Sequence, residues 1–444
     1  MINNRIYALF KKAFFSDTVR STAYMYLSRV AAMGLGFIGN VLIIRALGPE
    51  NYGLYATAIA FITLISGITD LGLTTSAIKF GSLYSKTDPK KVDLLFKIVG
   101  HQKLIISGCV GVVGFFLSDA IAVRIYNKPE LVFPLKVSMI YISMDILALY
   151  AHSMLEARQK YFKSSLITFV MSVAKVLAVV TLFYFFNALT LKNLLYLQIG
   201  LGLFLIFVCS AFVDMSFIRT EGDANQKKQI KKDAWHFSKW VMVSTLFFPI
   251  AKRLDIVMLN YYVDSAMVGI YACAFQLVVP LKTLKAALHN VLLPKISKIN
   301  TYNGYINYSK NYTVMTFMFS TFFIPVIVFA RPIIYQFFGE KYAPSVFIFQ
   351  LLLISLLFVL IFNPLHLIAY SAGHPWVIAF KDALSLIINI AINLFLIPKL
   401  GITGAAWGAL ITTIIGSLLP LVYIYFKILL PMRLNQTPLI QKTL

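Results

Sequence analysis

The sequence predicts an all-α protein that crosses a membrane about twelve times. Hydrophobic residues make up 59% of the 444 residues and charged residues 13%, and the mean hydropathy is +0.79. A soluble domain could not shield so much apolar surface from water. The apolar residues also fall in runs of about 20, the length a helix needs to cross the bilayer core.

Taken in order, these runs define the predicted membrane spans, with ends accurate to about 3 residues. The spans are residues 21–46, 53–78, 98–118, 132–155, 165–187, 193–214, 239–262, 266–291, 312–332, 345–371, 377–397 and 403–427.

The first span contains Gly34-Leu35-Gly36-Phe37-Ile38-Gly39, which matches a dinucleotide-binding fingerprint. That fingerprint has meaning only between a buried strand and a helix, whereas here it is flanked by apolar helix on both sides. In a membrane helix Ala32, Gly36 and Asn40 instead form a stripe of small residues at four-residue spacing, which lets a neighbouring helix approach closely.

The net charge of +23 would indicate nucleic-acid binding in a soluble protein, but in a membrane protein basic residues mark cytoplasmic loops. The N-terminal arm and every second connection are lysine-rich, while the alternate connections are short and carry few basic residues. This charge bias and the even number of predicted spans both place the two termini in the cytoplasm.

Neither a signal peptide nor a metal site is predicted. The first apolar run is too long for a signal peptide, and no small-residue cleavage site follows it. Cys109, Cys209 and Cys273 lie far apart in apolar runs, and the six histidines never recur at metal-ligand spacing.

A basic connector at the middle of the chain divides the protein into two sets of six helices. The predicted organisation is an N-terminal bundle (1–214), a cytoplasmic linker (215–238) and a C-terminal bundle (239–444). The linker is interpreted as a solvated segment attracted to anionic lipid heads, with lipid recruitment as the alternative.

The two sets resemble each other at an offset of 216 residues. Tyr52-Gly53-Leu54-Tyr55-Ala56-Thr57-Ala58 aligns with Val268-Gly269-Ile270-Tyr271-Ala272-Cys273-Ala274, with Gly, Tyr, Ala and Ala coinciding. Six crossings per repeat give both halves the same orientation, as in transporters with a central path between two bundles.

Three segments carry a resemblance to a known family. They are residues 47–55 (LGPENYGLY), 69–73 (TDLGL) and 398–407 (PKLGITGAAW). With them the chain resembles the O-antigen flippases of the Wzx type, in the multidrug/oligosaccharidyl-lipid/polysaccharide exporter superfamily. The resemblance implies two six-helix bundles around a central cavity and a non-enzymatic role. That role is moving an undecaprenyl-pyrophosphate-linked oligosaccharide from the inner to the outer leaflet of the bacterial inner membrane. Membrane lipids are the expected partners, and a polymerase and a chain-length regulator are further candidates.

Charged residues inside the predicted spans are the candidate functional residues, because a charge at that depth needs a cavity, a partner or a route to the interface. Arg29, Lys175, Lys252 and Arg253 are predicted to line a central cavity and hold the pyrophosphate. Ion pairing within a bundle is the alternative, for instance Arg29 with Asp70 or Lys175 with Asp145.

A second basic stripe, Lys282, Lys285 and His289, lies on one helical face toward the cytoplasm. It is interpreted either as a substrate entry site or as side chains that extend to lipid phosphates.

The carboxylates predicted for ion coupling are Asp70, Asp145, Asp255 and Glu156. No nucleotide-binding loop G-x-x-x-x-G-K-S/T occurs, so no cofactor is predicted. Asn307-Tyr308-Ser309 and Asn311-Tyr312-Thr313 match glycosylation sequons but lie on the predicted cytoplasmic side.

Three other functions were weighed. A cation-coupled drug antiporter of the related multidrug-extrusion (MATE) family would share the fold, but its cavity should favour acidic residues. A glycosyltransferase, polymerase or ligase would need a larger external loop. A lipid II flippase usually has two further helices.

Overall fold

The computed structural model describes the backbone of residues 17–85 and 88–435. It describes the side chains of these residues except 17–29, 240, 243–249, 251–252, 286–287 and 435. The regular elements of this part of the chain are all helical. The helices are α1 (Asp17–Thr69), α2 (Leu73–Tyr84), α3 (Pro89–Asp119), α4 (Val132–Ala157), α5 (Tyr161–Val180), α6 (Leu191–Phe212), α7 (Ala224–Tyr262), α8 (Ser265–Ile296), α9 (Tyr302–Thr321), α10 (Ile324–Val328), α11 (Ala330–Phe338), α12 (Ser345–Ser371), α13 (Trp376–Tyr423) and α14 (Leu430–Asn435). The predicted all-α class is confirmed.

Two of the long helices are broken by a glycine. Gly48 in α1 has φ 68° and ψ 173°, and Gly401 in α13 has φ 58° and ψ −133°. These backbone angles favour glycine because it has no Cβ. Both glycines lie in the segments that carry the family resemblance, and each separates two predicted spans.

Nine helices in the described part of the chain are long and apolar enough to cross a membrane. Two of them, Val30–Thr69 and Trp376–Leu434, contain the breaks at Gly48 and Gly401, so each supplies two crossings. The predicted span 239–262 lies within the helix Ala224–Tyr262, where several side chains fall outside the described residues.

Two predicted spans are interrupted in the structure. The span 53–78 ends at Thr69, because Leu71 and Gly72 have positive φ and form a turn before α2. The span 312–332 is divided among α9, α10 and α11, and Pro325 lies in the first turn of α10. Proline cannot donate the hydrogen bond that would continue the preceding helix.

The chain forms two compact units. The N-terminal unit contains residues 1–47 and 57–253, and the C-terminal unit contains residues 48–56 and 254–444. Each unit has its own apolar core. In the N-terminal unit the core includes Leu95, Phe96 and Ile167, and in the C-terminal unit it includes Leu292, Tyr305 and Ile368.

The basic connector is largely helical, because α7 begins at Ala224. Its lysines Lys227, Lys228, Lys231 and Lys232 are exposed, as expected for a solvated segment. Ile230 and Ala234, however, are buried in the core of the N-terminal unit. The Ser76 hydroxyl also donates to the Ala234 carbonyl at 3.2 Å. The connector is therefore an amphipathic helix with one face packed on the N-terminal unit.

The two repeat-related glycines contact each other within the C-terminal unit. A Cβ added to Gly53 would lie 1.7 Å from the Ser265 carbonyl oxygen, and one added to Gly269 would lie 1.9 Å from the Pro49 carbonyl oxygen. Ser265 and Pro49 are themselves related by the offset of 216 residues. The contact is thus reciprocal, as a two-fold relation between repeated elements requires.

Candidate functional site

In the N-terminal unit, an ion pair joins the turn after α1 to α3. The Lys103 side chain is 1% exposed, and its Nζ lies 2.6 Å from Asp70 Oδ1. The Thr74 hydroxyl donates a short hydrogen bond to the same carboxylate oxygen. Asp70 is held in place by the turn at Leu71 and Gly72, where the Leu73 N–H donates to the Asp70 carbonyl. The two charges compensate each other in a low-dielectric interior.

A second carboxylate of this unit, Asp145 on α4, accepts a hydrogen bond from the Ser66 hydroxyl at 3.0 Å. Lys103 also interacts electrostatically with Asp145. Lys103 therefore pairs with Asp70, in the turn after α1, and also influences Asp145 on α4. Close by, Ser107 on α3 and Ser143 on α4 donate to each other's carbonyl oxygens at 2.8 and 2.9 Å.

Of the two alternative ion pairs expected from the sequence, only Lys175 with Asp145 lies within the described residues. Asp70 pairs with Lys103, which lies inside the predicted span 98–118. Lys175 is half-buried and forms no ion pair with Asp145 among the described residues. The Arg29 side chain lies outside the described residues, and Glu156 is half-buried at the end of α4.

In the C-terminal unit, Asp255 on α7 lies among neutral hydrogen-bond donors. The Asn393 amide donates to Oδ1 at 2.9 Å, and the Tyr271 hydroxyl donates to Oδ2 at 3.1 Å. Asn393 also donates to the Asn389 side-chain oxygen at 3.2 Å, and Lys282 interacts electrostatically with the carboxylate. These groups join α7, α8 and α13.

Two glycines make this arrangement compact, Gly404 in the segment 398–407 and Gly408 directly after it. A Cβ on Gly408 would lie 2.2 Å from Asn393 Oδ1, and one on Gly404 would lie 2.4 Å from the Leu396 carbonyl oxygen. The two halves of α13 can therefore pack closely, and Asn393 is held against Asp255.

A basic cluster lies about three helical turns before the end of α8. Lys285 interacts electrostatically with Lys381 and Asp382 at the start of α13. Lys381 Nζ lies 2.5 Å from Asp382 Oδ1, and its side chain is 14% exposed. His366 on α12 also interacts with Lys285 and Lys381, and its Nε2 is 2.9 Å from the Ser417 carbonyl oxygen. The cluster thus holds two ammonium groups against one carboxylate.

The other members of the predicted stripe make aromatic contacts. Lys282 Nζ lies 4.2 Å from the centre of the Phe275 ring, and the His289 ring meets the Tyr370 ring edge-on at 5.9 Å. Arg253 is half-buried at the boundary of the N-terminal unit, and the Lys252 side chain lies outside the described residues. The single cavity predicted for Arg29, Lys175, Lys252 and Arg253 stays a prediction.

Several of these polar residues were missed by the sequence analysis, namely Lys103, His366, Lys381, Asp382, Asn389 and Asn393. Lys103, Lys381 and Asp382 each fall inside a predicted span, so a complete list of charges within spans would have found them. The asparagines had no such signal, because neutral amides are common in membrane helices.

Comparison with known families decides the kinship. Residues 18–300, more than half of the chain, match the model of a family described as polysaccharide biosynthesis protein. The chain belongs to this family. A Shigella flexneri relative named "Putative O-antigen transporter" is 24% identical over 406 residues, covering 88% of this chain and 92% of its own. An uncharacterized membrane protein of Methanocaldococcus jannaschii is 21% identical over 409 residues, covering 89% and 95%.

Solved structures of two membrane transporters share the fold. The lipid II flippase MurJ in an inward closed conformation aligns with a TM-score of 0.70 at 16% identity, covering 94% of this chain and 90% of MurJ. A multidrug resistance MATE transporter in an inward-facing conformation aligns with a TM-score of 0.67 at 15% identity, covering 88% and 94%. The chain is therefore a multi-pass membrane protein of the polysaccharide biosynthesis family with the fold of these two solved structures, and the predicted kinship is confirmed.

Proposed function

We propose that this protein is a flippase for an undecaprenyl-pyrophosphate-linked oligosaccharide, which it moves from the inner to the outer leaflet of the bacterial inner membrane by alternating access. Both termini lie in the cytoplasm in this proposal. The observation that carries it is the basic cluster of Lys285 and Lys381, where one carboxylate offsets two ammonium groups. Such a cluster favours an anion, and the pyrophosphate is the anionic part of this passenger.

The physical need for these cations is large. A phosphate group that crosses hydrocarbon without compensation loses its hydration, at a cost of tens of kcal/mol for an isolated charge. Fixed ammonium and guanidinium groups replace part of that hydration. In the proposal Lys285 and Lys381 receive the pyrophosphate first, since they lie near the predicted cytoplasmic end of the C-terminal unit. Arg29, Lys175, Lys252 and Arg253 then hold it at greater depth, and Lys282 assists at entry.

The energy for transport need not come from a nucleotide. An inside-negative membrane potential drives an anion outward. The free energy released is about 2.3 kcal/mol per charge per 100 mV. Of the four carboxylates predicted for ion coupling, the proposal ranks Asp255 ahead of Asp70, Asp145 and Glu156. Asp255 has neutral hydrogen-bonding neighbours, whereas Asp70 is neutralised by Lys103.

A cation-coupled antiporter of the MATE type is the second candidate, and the surroundings of Asp255 favour it. A carboxylate held by Tyr271 and Asn393 at hydrogen-bonding distance can accept a small cation. The structural similarity to a MATE transporter shows the fold alone and is compatible with either function.

Reconstitution into liposomes separates the two candidates. The passengers are a fluorescent pyrophosphoryl-linked oligosaccharide, scored by its accessibility in the outer leaflet, and a cationic dye. We expect flipping of the first and no transport of the second. Arg29→Ala, Arg253→Ala and Lys285→Ala should each slow flipping by about tenfold or more, the loss expected for one hydrogen bond to a charged group. Lys310→Ala is the control. Lys310 is exposed on α9 and belongs neither to the basic cluster nor to the cations proposed to hold the pyrophosphate at greater depth. Dye transport without flipping would contradict the proposal.

A further inference from the structure

A cavity of about 440 Å³ lies in the C-terminal unit, where α8 ends and α9 begins. It is separate from the clusters described above. The side chains that matter for its chemistry are Lys295, Lys298, Asn307, Tyr308, Asn311 and Tyr312. Within the described part of the chain, none of the residues that line it is acidic.

The sequence forms this wall by a repeat of four residues. Asn307-Tyr308-Ser309 recurs as Asn311-Tyr312-Thr313, and residues four apart lie on the same face of a helix. The two asparagines and the two tyrosines therefore form adjacent rows on α9. The Tyr308 and Tyr312 ring centres are 4.7 Å apart. The pattern that matches a glycosylation sequon thus has another explanation, which is the lining of a cavity.

One polar group of the cavity lining, the Tyr308 hydroxyl, lacks a hydrogen-bond partner in the described part of the chain. Tyr308 is 3% exposed, and this hydroxyl is buried. A buried hydroxyl without a partner is unfavourable, so most are found bonded to protein, water or ligand.

The two lysines at the end of α8 are also available to a ligand. Neither Lys295 nor Lys298 forms an ion pair in the part of the chain that the structure describes. Lys295 Nζ lies 5.4 Å from the centre of the Tyr312 ring, which holds the ammonium group at the cavity. Two cations, two amides and a phenol hydroxyl together match a phosphate that carries further hydroxyl groups.

The apolar surface beside the cavity indicates a lipid. Following Tyr312 along α9, the side chains of Val314, Met315, Phe317 and Met318 are all exposed, by 41–63%. In a membrane protein such a surface meets acyl chains. Basic pockets between helices at the cytoplasmic side of a membrane are known to bind anionic lipid head groups.

We propose that this cavity binds the head group of an anionic phospholipid such as phosphatidylglycerol. The phosphate lies between Lys295 and Lys298, the glycerol hydroxyls meet Asn307, Asn311 and the Tyr308 hydroxyl, and the acyl chains run along α9. The site is independent of the proposed flippase activity, because none of its residues belongs to the clusters assigned to the pyrophosphate or the coupling ion.

Native mass spectrometry of the full-length protein in detergent tests this assignment, with phosphatidylglycerol and phosphatidylcholine added as probes. The wild type should retain phosphatidylglycerol in preference to phosphatidylcholine. Lys295→Gln combined with Lys298→Gln should lower phosphatidylglycerol affinity about tenfold or more. Lys310→Gln is the matched control, since it removes one exposed positive charge from α9 outside the cavity and should leave retention unchanged.

Tyr308→Phe separates a ligand site from a structural role. It removes a hydroxyl that has no partner in the described protein, so melting in lipid-free detergent should occur at the same temperature or higher. Phosphatidylglycerol affinity should nevertheless fall. Unchanged affinity in both Tyr308→Phe and the double lysine variant would overturn the proposal, as would an equal loss in Lys310→Gln. Displacement of the lipid by glucose 1-phosphate would assign the cavity to a soluble sugar phosphate and overturn the lipid assignment.

Discussion

The contact between Gly53 and Gly269 predicts a large effect from a single methyl group. In Gly269→Ala the new Cβ would lie 1.9 Å from the Pro49 carbonyl oxygen, whereas Cβ atoms normally keep about 3.4 Å from their neighbours. The two helix starts must therefore separate by about 1.5 Å. Both contacting groups are helical backbone, which cannot rotate away as a flexible side chain can. We expect a loss of about 3 kcal/mol in the free energy of unfolding, the upper end of the usual cost of overpacking.

Equilibrium unfolding by sodium dodecyl sulfate in mixed micelles measures this loss. Gly200→Ala is the control, because no atom lies within 4 Å of its added Cβ. Alanine in that helix should be neutral or stabilising by about 0.5–1 kcal/mol. Gly53→Ala should cost about as much as Gly269→Ala. Since one separation of the helices relieves both clashes, the double variant should cost much less than the sum. Equal stability of Gly269→Ala and Gly200→Ala would refute the reasoning.

Three further predictions follow from the polar clusters. Lys103→Met leaves the half-buried carboxylate of Asp70 without its ion-pair partner. It should lower the free energy of unfolding by about 3 kcal/mol, the lower end of the cost of breaking a buried pair, and adding Asp70→Asn should restore most of that loss in the same detergent titration. No loss in Lys103→Met would contradict the ion pair. Gly408→Ala should displace Asn393 from Asp255 and reduce the rate of flipping in liposomes. Gly36→Ala is the control and should not reduce it, because its added Cβ meets no atom within 4 Å. Equal flipping rates in the two variants would show that Asn393 does not position Asp255. Asp255→Asn should abolish the dependence of flipping on an imposed ion gradient while substrate binding persists, and retention of that dependence would exclude Asp255 from coupling.

The fold could be predicted from the sequence because hydropathy and glycine placement determine most of it. Apolar runs of about 20 residues set the helices, and the breaks at Gly48 and Gly401 separate predicted spans. The repeat motif was also informative, since its glycines contact each other reciprocally. The interruption at residues 70–72 could not be predicted in the same way, because averaging over a span conceals a single turn.

The candidate site was predicted less completely, for a physical reason. Lys103 lies five residues inside a predicted span, where a long side chain can reach the membrane surface. Whether it does so depends on a tertiary partner. Asp70 supplies that partner from a turn 33 residues earlier in the chain, so the Lys103 side chain is only 1% exposed. Lys381 and Asp382 are similar, because only the fold brings them to Lys285.

The most direct test of the proposed function is whether the basic cluster recognises the charge of the passenger. Flipping is measured in liposomes for two lipid-linked oligosaccharides that differ only in the linkage, one with pyrophosphate and one with an uncharged ether. The wild type should flip the pyrophosphate-linked passenger at least about tenfold faster, and Lys285→Gln with Lys381→Gln should remove that preference while the protein remains folded. Equal flipping of both passengers by the wild type, or an undiminished preference in the double variant, would contradict the account.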